Sequence, residues 1–384
     1  MDHILKCHEI IRNNFVRGEN CYLFDDQGRK YIDFESGIWC TALGHNHPRI
    51  IQVITDQCQQ IMHLGTRFPN QKVEDAAKAV LGIVGFEGKC VFLSSGSEAV
   101  EFGSQAIRRV TGKKFLLTFA NSYLSALGSA GRKNPEEWYL LDWRNLNEEN
   151  YQASLDAIPF DQIGGFIFEP GGSGSAFVKF PPKRLVQDIY HRIKQSGGWI
   201  AANEVTTSMG RTGKWFGYQH YEIQPDIVSI GKGLGNGYPV SAVAMRSEIA
   251  QALEKSDLHY AQSHQNDPLG CAVAKEVITI MTEENLINRG AETGRYFLEC
   301  LKELASRYAI VRDARGRGML LGLEIQPHPS FSAEIAFHEL YKNRILTGYY
   351  PAGNILRFDP ALTMEKENIQ YLVNTLEGIL KAIA

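Results

Sequence analysis

Residues 225–245 read PDIVSIGKGLGNGYPVSAVAM, which predicts two short apolar strands joined by a glycine-rich loop. The strand Ile227–Ile230 leads Lys232 into a loop with four glycines, and the strand Val240–Met245 follows it. A lysine just past a buried strand can lose enough hydration to become a neutral, nucleophilic amine. Since most loop lysines are solvated, this stretch alone does not establish a reactive lysine.

An alternation of apolar strands and amphipathic helices extends on both sides of this stretch. The other predicted strands are Cys90–Leu93, Phe115–Phe119, Gly165–Glu169 and Trp199–Val205. A helix is predicted between Pro182 and Gly197, where Leu185, Ile189 and Ile193 share one face. Such alternation is typical of an α/β fold with a parallel or mixed sheet covered by helices.

The two ends of the chain have sequence patterns that differ from this alternation. Residues 22–34, YLFDDQGRKYIDF, are predicted to form a hairpin around Asp26-Gln27-Gly28. Toward the C-terminus, helices alternate with the strands GMLLGLEI and NILRF, which predicts a smaller α+β domain. We therefore expect an N-terminal segment 1–47 joining the small domain, a large domain 48–285 and a small domain 286–384.

The composition excludes several classes of function. With 384 residues, 22% charged and 44% hydrophobic, the chain has the composition of a globular protein. Its net charge of -3 argues against nucleic-acid or anionic-membrane partners. No apolar run approaches the roughly 18 residues of a membrane span. The seven cysteines contain no Cys-x-x-Cys pair and the N-terminus lacks a signal-peptide pattern, so we expect a cytoplasmic protein with reduced thiols.

A second motif, CVFLSSGSEAVEFGSQAIRRVTG at residues 90–112, predicts a short strand that runs into a helix. Ser95 and Glu98 fit a capping box, and Gly112 ends the helix. Free amides at such a helix start, with Gly96 permitting close approach, can bind a phosphate. Taken alone, the motif also describes a well-capped helix without any ligand.

A third motif, WIAANEVTTSMGRTG at residues 199–213, predicts a strand that runs into a loop. Successive strand residues face opposite sides of a sheet, so Asn203 and Glu204 cannot both reach the same ligand. Polar residues at the carboxyl end of a strand often face a ligand crevice. An ordinary strand end with a solvated glutamate is the alternative interpretation.

Together, and in this order, these segments resemble the class III aminotransferases, a branch of the fold-type I pyridoxal-phosphate enzymes. The likeness runs from YLFDDQGRKYIDF and GHNHP through SSGSEAVE to RGRGMLLGLE and LRFDPALT. The 29 residues from Asn203 to Lys232 also match the family spacing. The resemblance implies a large domain with a mostly parallel seven-stranded sheet between helices, pyridoxal 5'-phosphate as cofactor, and a homodimer with shared active sites.

The resemblance also implies roles for individual residues. Lys232 would form a Schiff base with the cofactor and move the proton. The other implied cofactor-binding residues are Gly96 and Ser97 at the phosphate, Tyr123 and Val205 on the two ring faces, Asn203 and Thr206 at the ring edge, and Ser263 of the partner subunit at the phosphate. Arg357 would bind a substrate carboxylate through two hydrogen bonds, and Trp39 would line the substrate entrance. His45 and His47 have no clear third ligand nearby, so no metal site is predicted.

Several residues depart from the family pattern. Asn203 stands where the family has an aspartate that keeps the pyridine nitrogen protonated, and each lost pKa unit costs about 1.36 kcal/mol of that preference. The other departures are Thr206 for a glutamine, Leu124 and Ser125 for His-Gly, and Gly174 for a glutamate that gates the arginine in some members. Aminotransfer from an amino acid or amine to a keto acid or aldehyde is favoured. A racemase, epimerase or decarboxylase of the same fold is the alternative, and a catalytically inert binding subunit, against which Lys232 counts, is a third.

Overall fold

The computed structural model describes residues 3–8, 10, 11, 13–171, 178–256 and 258–383. The strands are β1 (Phe15–Glu19), β2 (Tyr22–Asp25), β3 (Lys30–Asp33), β4 (Gly88–Leu93), β5 (Phe115–Phe119), β6 (Trp138–Leu141), β7 (Ile163–Phe168), β8 (Trp199–Asn203), β9 (Ile227–Ile230), β10 (Ser241–Arg246), β11 (Val311–Arg317), β12 (Leu320–Ile325), β13 (Ile345–Leu346), β14 (Gly348–Tyr350) and β15 (Ile355–Phe358). The helical segments are α1 (Ser36–Trp39), α2 (Pro48–Gln60), α3 (Gln71–Val84), α4 (Gly96–Thr111), α5 (Gly128–Arg132), α6 (Tyr151–Asp156), α7 (Lys183–Gln195), α8 (Ser247–Lys255), α9 (Pro268–Glu283), α10 (Leu286–Arg307), α11 (Ala333–Lys342) and α12 (Lys366–Lys381).

A seven-stranded sheet in the order β4-β10-β9-β8-β7-β5-β6 forms the centre of the large domain. Strand β10 runs antiparallel to β4 and β9, and the other neighbouring strands are parallel. All six residues of β7 are buried, as expected for a parallel strand with both faces covered. The predicted mostly parallel seven-stranded sheet is thereby confirmed.

Two apolar clusters cover the two faces of this sheet, because alternate residues of a strand point to opposite sides. Along β7, Phe166 and Phe168 belong to one cluster and Ile167 to the other. Helix α7 packs on β7 and β8 through Leu185 and Ile193, as predicted from its apolar face. Helix α4 covers the opposite face. Among the described helices, none is both long and apolar enough to cross a membrane.

Two smaller sheets lie at the ends of the chain. The predicted hairpin is confirmed as β2 and β3, and β3 pairs in parallel with the short strand β13. The other sheet has the order β11-β12-β15-β14 and is antiparallel. The sequence patterns predicted β12 and β15 but not β11, whose sequence VRDARGR carries four charged residues. The domain boundaries at residues 47 and 285 stay predictions.

Strand β8 ends at Asn203 and not at Val205, the predicted end. The amide of Val205 leaves the ladder and donates to Asn203 Oδ1 at 3.3 Å, and Ser208 N–H donates to the Glu204 carbonyl at 3.1 Å. The chain therefore turns directly after Asn203. This turn brings the residues after β8 to the carboxyl edge of the sheet, where β7 and β9 also end.

Two helical glycines provide a matched test of packing within the C-terminal part of the chain. A Cβ on Gly294 in α10 would overlap the carbonyl of Gly318, whereas a Cβ on Gly378 in α12 would meet open space. We expect Gly294→Ala to lower the free energy of unfolding by about 1–3 kcal/mol through overpacking. Gly378→Ala should raise it by about 1 kcal/mol, since alanine favours the helix. Urea unfolding measures both, and shifts of equal sign would contradict the packing described.

Candidate active site

A cavity of about 390 Å³ opens at the carboxyl edge of the central sheet. Its lining residues are Ile38, Trp39, Ser95, Gly96, Ser97, Tyr123, Leu124, Asn203, Val205, Thr206 and Lys232. The cavity therefore brings together the cofactor-binding residues predicted within one chain, together with Trp39. Ser263 and Arg357 do not line it. Its size lies within the range of about 300–1,000 Å³ that is usual for small-ligand sites.

Lys232 is the reactive group of this cavity. It directly follows β9 and Gly231, and its backbone is left-handed with φ of 46°. Its Nζ donates to Thr206 Oγ1 at 2.8 Å and lies 4.3 Å from the centre of the Trp39 ring. Burial lowers the pKa of the Lys232 amine to about 8. About a tenth of the Lys232 amine is therefore neutral at pH 7, far more than for a lysine of ordinary pKa, and the neutral form is the one that a nucleophilic amine requires.

The start of α4 forms the opposite wall of the cavity. The predicted capping box is present: Ser95 Oγ accepts from Glu98 N–H at 3.2 Å, and Ser95 N–H donates to Glu98 Oε2 at 2.8 Å. The amides of Gly96 and Ser97 lie in the first turn, where no intrahelical partner exists. A Cβ on Gly96 would overlap the Val205 side chain, so only glycine keeps the helix start open here. The donor set and the space suit a phosphate group.

Asn203 is buried at the end of β8 and holds the backbone of Tyr123. Its Nδ2 donates to the Tyr123 carbonyl at 3.0 Å, while its Oδ1 accepts from Val205 N–H. Glu169, at the end of β7, accepts from Tyr123 N–H at 3.1 Å. The polar groups of the Tyr123 backbone are thus fixed from two neighbouring strands, and its ring borders the cavity.

Glu204 points away from the cavity, as predicted from strand alternation. Its carboxylate accepts hydrogen bonds from Thr207 Oγ1 at 2.7 Å and from the amides of Gly217 and Tyr218 at 2.8 and 2.7 Å. Burial raises the pKa of this carboxyl to about 7. The expectation of a solvated glutamate at this strand end was wrong, because Glu204 is fully buried and organises the loop behind the cavity.

Trp39 enters the cavity from a strained turn that the sequence did not predict. Segment α1 is left-handed, with φ of 51° at Ser36, 60° at Ile38 and 69° at Trp39. A left-handed conformation costs about 1–2 kcal/mol for each non-glycine residue. Such strain persists where the surroundings impose it, and it is concentrated at functional sites. The turn places the centre of the Trp39 ring 4.3 Å from Lys232 Nζ and 4.2 Å from Arg357 Cζ.

Arg357 lies behind Trp39, with its Cζ 4.2 Å from the centre of that ring. Its Nε donates to Asp359 Oδ1 at 2.9 Å and its Nη2 to Glu35 Oε1 at 2.5 Å. Burial opposes the charge of Arg357, but Asp359, Tyr350 and Glu35 raise its pKa above the ordinary value. The sequence singled out Arg357 but neither of its two carboxylate partners, which lie 322 residues before it and two after it.

Of the other departures, two contribute directly to the cavity. Thr206 is the hydrogen-bond acceptor for Lys232, and Leu124 is an apolar wall residue. Ser125 donates to the Ser97 carbonyl at 3.2 Å and so supports the helix start. Gly174 lies outside the described residues.

The paired histidines of the GHNHP motif do not converge on one point. His45 Nε2 lies 2.7 Å from Asp33 Oδ2, whereas His47 Nε2 lies 3.8 Å from Glu284 Oε1. A different group, composed of His63, His264 and Asp267, brings three potential ligand atoms within 4.8 Å of one another. The sequence patterns did not predict it, because His63 and Asp267 are 204 residues apart.

Comparison with known proteins agrees with this arrangement. The family model described as "Aminotransferase class-III" matches residues 6–128 and 134–380. Acetylornithine aminotransferase of Aquifex aeolicus is 30% identical over 99% of this chain and 100% of that protein. Alanine/serine racemase of Pyrococcus horikoshii is 26% identical over 95% of this chain and 85% of that protein. The crystal structure of acetylornithine aminotransferase from Elizabethkingia anophelis, 25% identical, superposes with a TM-score of 0.86 over 99% of this chain and 96% of that one.

Proposed function

Since the chain belongs to the class III aminotransferases, we propose that its amino-transfer chemistry takes place at the cavity around Lys232. The observation that carries this proposal is a buried lysine, with its pKa lowered to about 8, that faces the open helix start at Gly96. Members of the family use pyridoxal 5'-phosphate, which when bound supplies the aldehyde that carries the amino group and a ring that takes up electron density. The cavity residues fit this group: amides for its phosphate, an amine for its aldehyde and Tyr123 for its ring.

We assign a separate role to each residue of the cavity. Lys232 Nζ would hold the cofactor at its aldehyde and, with a substrate amine bound, would accept and return the proton at the reacting carbon. Thr206 Oγ1 holds Nζ in place. Gly96 and Ser97 would bind the phosphate, with Ser263 of the partner subunit, and Tyr123, Val205 and Asn203 would hold the ring. Trp39 covers Lys232 and excludes water from it.

We assign Arg357 to recognition of a substrate carboxylate, which has to compete with the two carboxylates that already bind the guanidinium. Its Nε is engaged by buried Asp359 and its Nη2 by Glu35. A carboxylate that binds Nη1 and Nη2 together would compete with Glu35 for Nη2. Burial raises the pKa of Glu35 to about 7, and Arg357 opposes that rise. Glu35 therefore becomes protonated at lower pH, which weakens its ion pair with Arg357.

A homodimer would complete this site. Ile38 and Tyr123 line the cavity yet have exposed fractions of 50% and 51%, and neighbouring Leu127 is 46% exposed. Large apolar side chains left exposed beside a cavity are typical of a protein–protein contact. A second copy covering it would also bring its own Ser263 to the phosphate. Light scattering of the loaded enzyme should return the mass of two chains, and the mass of one chain would exclude the shared site.

We place the enzyme in the cytoplasm. All seven cysteines are free, and Cys7 and Cys58 are exposed. Exposed thiols persist in a reducing compartment. Cell fractionation that recovered the protein outside the cytoplasm would contradict this assignment.

The half-reaction tests the proposed function. The purified enzyme, loaded with cofactor, is titrated with amino acids and diamines in the absence of any keto acceptor. Aminotransfer predicts loss of the visible absorbance band together with release of a keto acid or aldehyde in stoichiometric amount. A donor that loses its chirality or carbon dioxide while the visible band persists would contradict aminotransfer and identify a racemase or decarboxylase.

A further inference from the structure

His63, His264 and Asp267 form a second cluster, outside the residues that line the active-site cavity. Nδ1 of His63 lies 3.2 Å from Asp267 Oδ1, and Nδ1 of His264 lies 2.8 Å from Asp267 Oδ2. The two imidazole rings are 4.8 Å apart, centre to centre. Two ring nitrogens and one carboxylate oxygen therefore lie within 4.8 Å of one another.

The Asp267 side chain does not cap the helix that it precedes. Asp267 is the N-cap of α9, where an aspartate usually accepts a hydrogen bond from an amide of the first turn. Here its side chain makes no capping bond. Both of its oxygens are instead turned to the imidazoles of His63 and His264.

The ligand types and spacing fit a zinc ion. Zinc is bound by imidazole nitrogen at about 2.0–2.1 Å and by carboxylate oxygen at about 2.0–2.2 Å, in tetrahedral geometry. These lengths separate neighbouring ligand atoms by roughly 3.3 Å. The His63–Asp267 distance already has this value within 0.1 Å, the His264–Asp267 distance of 2.8 Å needs a small opening, and the widest pair of ligand atoms, up to 4.8 Å apart, has to close. Both histidines are about half exposed, so their side chains can make that adjustment.

We propose that His63, His264 and Asp267 bind one zinc ion, with a water molecule at the fourth position. Imidazole ligands suit zinc and the neighbouring transition metals, whereas magnesium and calcium prefer an all-oxygen set. The ion would join the loop after α2 to the start of α9. It would also anchor the segment that carries Ser263, the residue that we assign to the partner subunit's phosphate site.

Metal titration of the cofactor-loaded enzyme tests this site. After dialysis against a chelator, the wild type should take up one zinc ion per chain at micromolar concentration, and cobalt should give the visible spectrum of a tetrahedral site. His63→Gln, His264→Gln and Asp267→Asn should each lose that uptake. The matched control is His191→Gln, an exposed histidine on α7, which should bind zinc as the wild type does.

Thermal unfolding supplies a second measurement that does not depend on catalysis. Zinc should raise the unfolding temperature of the wild type and of His191→Gln, because a ligand that binds the folded state stabilises it. It should leave the three cluster variants unchanged. Absence of stoichiometric uptake by the wild type, or uptake that survives in the three variants, overturns the proposal.

Discussion

Lys232→Ala should fail to attach pyridoxal 5'-phosphate covalently and should lose at least about 10²–10⁴-fold in turnover, the range usual for loss of a positioned acid–base group. Lys232 Nζ is the atom that would both bond to the cofactor and move the proton, so one substitution removes both contributions. No second described lysine lines the cavity to replace it. Borohydride reduction of the loaded wild type followed by peptide mass spectrometry should place the label on Lys232.

Two comparisons separate nucleophilicity from charge at this position. Lys232→Arg keeps a cation between Thr206 and Trp39 but cannot form the bond, so it should be as inactive as Lys232→Ala. Lys133 also has a pKa lowered by burial, but its Nζ donates to the Ala120 and Ser122 carbonyls. Lys133→Arg should therefore retain covalent attachment. A labelled peptide in Lys232→Ala would contradict the assignment.

The rate of cofactor capture by the apoenzyme should follow the neutral fraction of Lys232. Its pKa in the folded protein is about 8, below the ordinary lysine value of 10.5 because of burial. The rate should therefore rise with pH, reach half its maximum near pH 8 and level off above about pH 9. A rate that continued to rise toward pH 10 would show that Lys232 is solvated and not prepared for the reaction.

Much of the scaffold was predictable because it depends on local patterns. Apolar runs of four to six residues marked β5 and β9 with the observed bounds, and the capping box marked the start of α4. The carboxyl ends of parallel strands meet at one edge, which is why Asn203 and Lys232 lie together in the structure. The resemblance then assigned a role to each.

The contacts around Arg357 and Trp39 were not predictable, because they join parts of the chain that are far apart in sequence. Glu35 is an ordinary acidic residue in a hairpin-to-loop junction until the fold brings Arg357 beside it. The left-handed turn at Ser36–Trp39 has one glycine among residues that disfavour this conformation, so no local propensity indicates it. Tertiary packing imposes the turn, and the sequence pattern does not record that packing.

The hydrogen bonds of Asn203 show why an asparagine stands at this position and why an aspartate would not simply replace it. An aspartate here would supply the charge that holds a proton on the pyridine nitrogen. The surroundings, however, are built for an amide: Nδ2 donates to the Tyr123 carbonyl and Oδ1 accepts from Val205 N–H. A flipped amide would oppose like groups at both contacts, so the orientation is fixed. A carboxylate could keep only the contact with Val205.

We therefore expect Asn203→Asp to bind pyridoxal 5'-phosphate more weakly and to turn over more slowly, although it restores the charged residue of the family. An oxygen facing the buried Tyr123 carbonyl leaves that acceptor unpaired, at a cost of about 1–3 kcal/mol, or roughly 5- to 150-fold in affinity. Fluorescence titration of the apoenzyme measures the affinity. Nitrogen NMR of ring-labelled cofactor should show a neutral ring nitrogen in the wild type and a protonated one in the variant. Glu169→Gln, which keeps an acceptor for Tyr123 N–H, should weaken binding less. Tighter binding and faster aminotransfer in Asn203→Asp would mean that the missing charge, and not the hold on Tyr123, limits this enzyme.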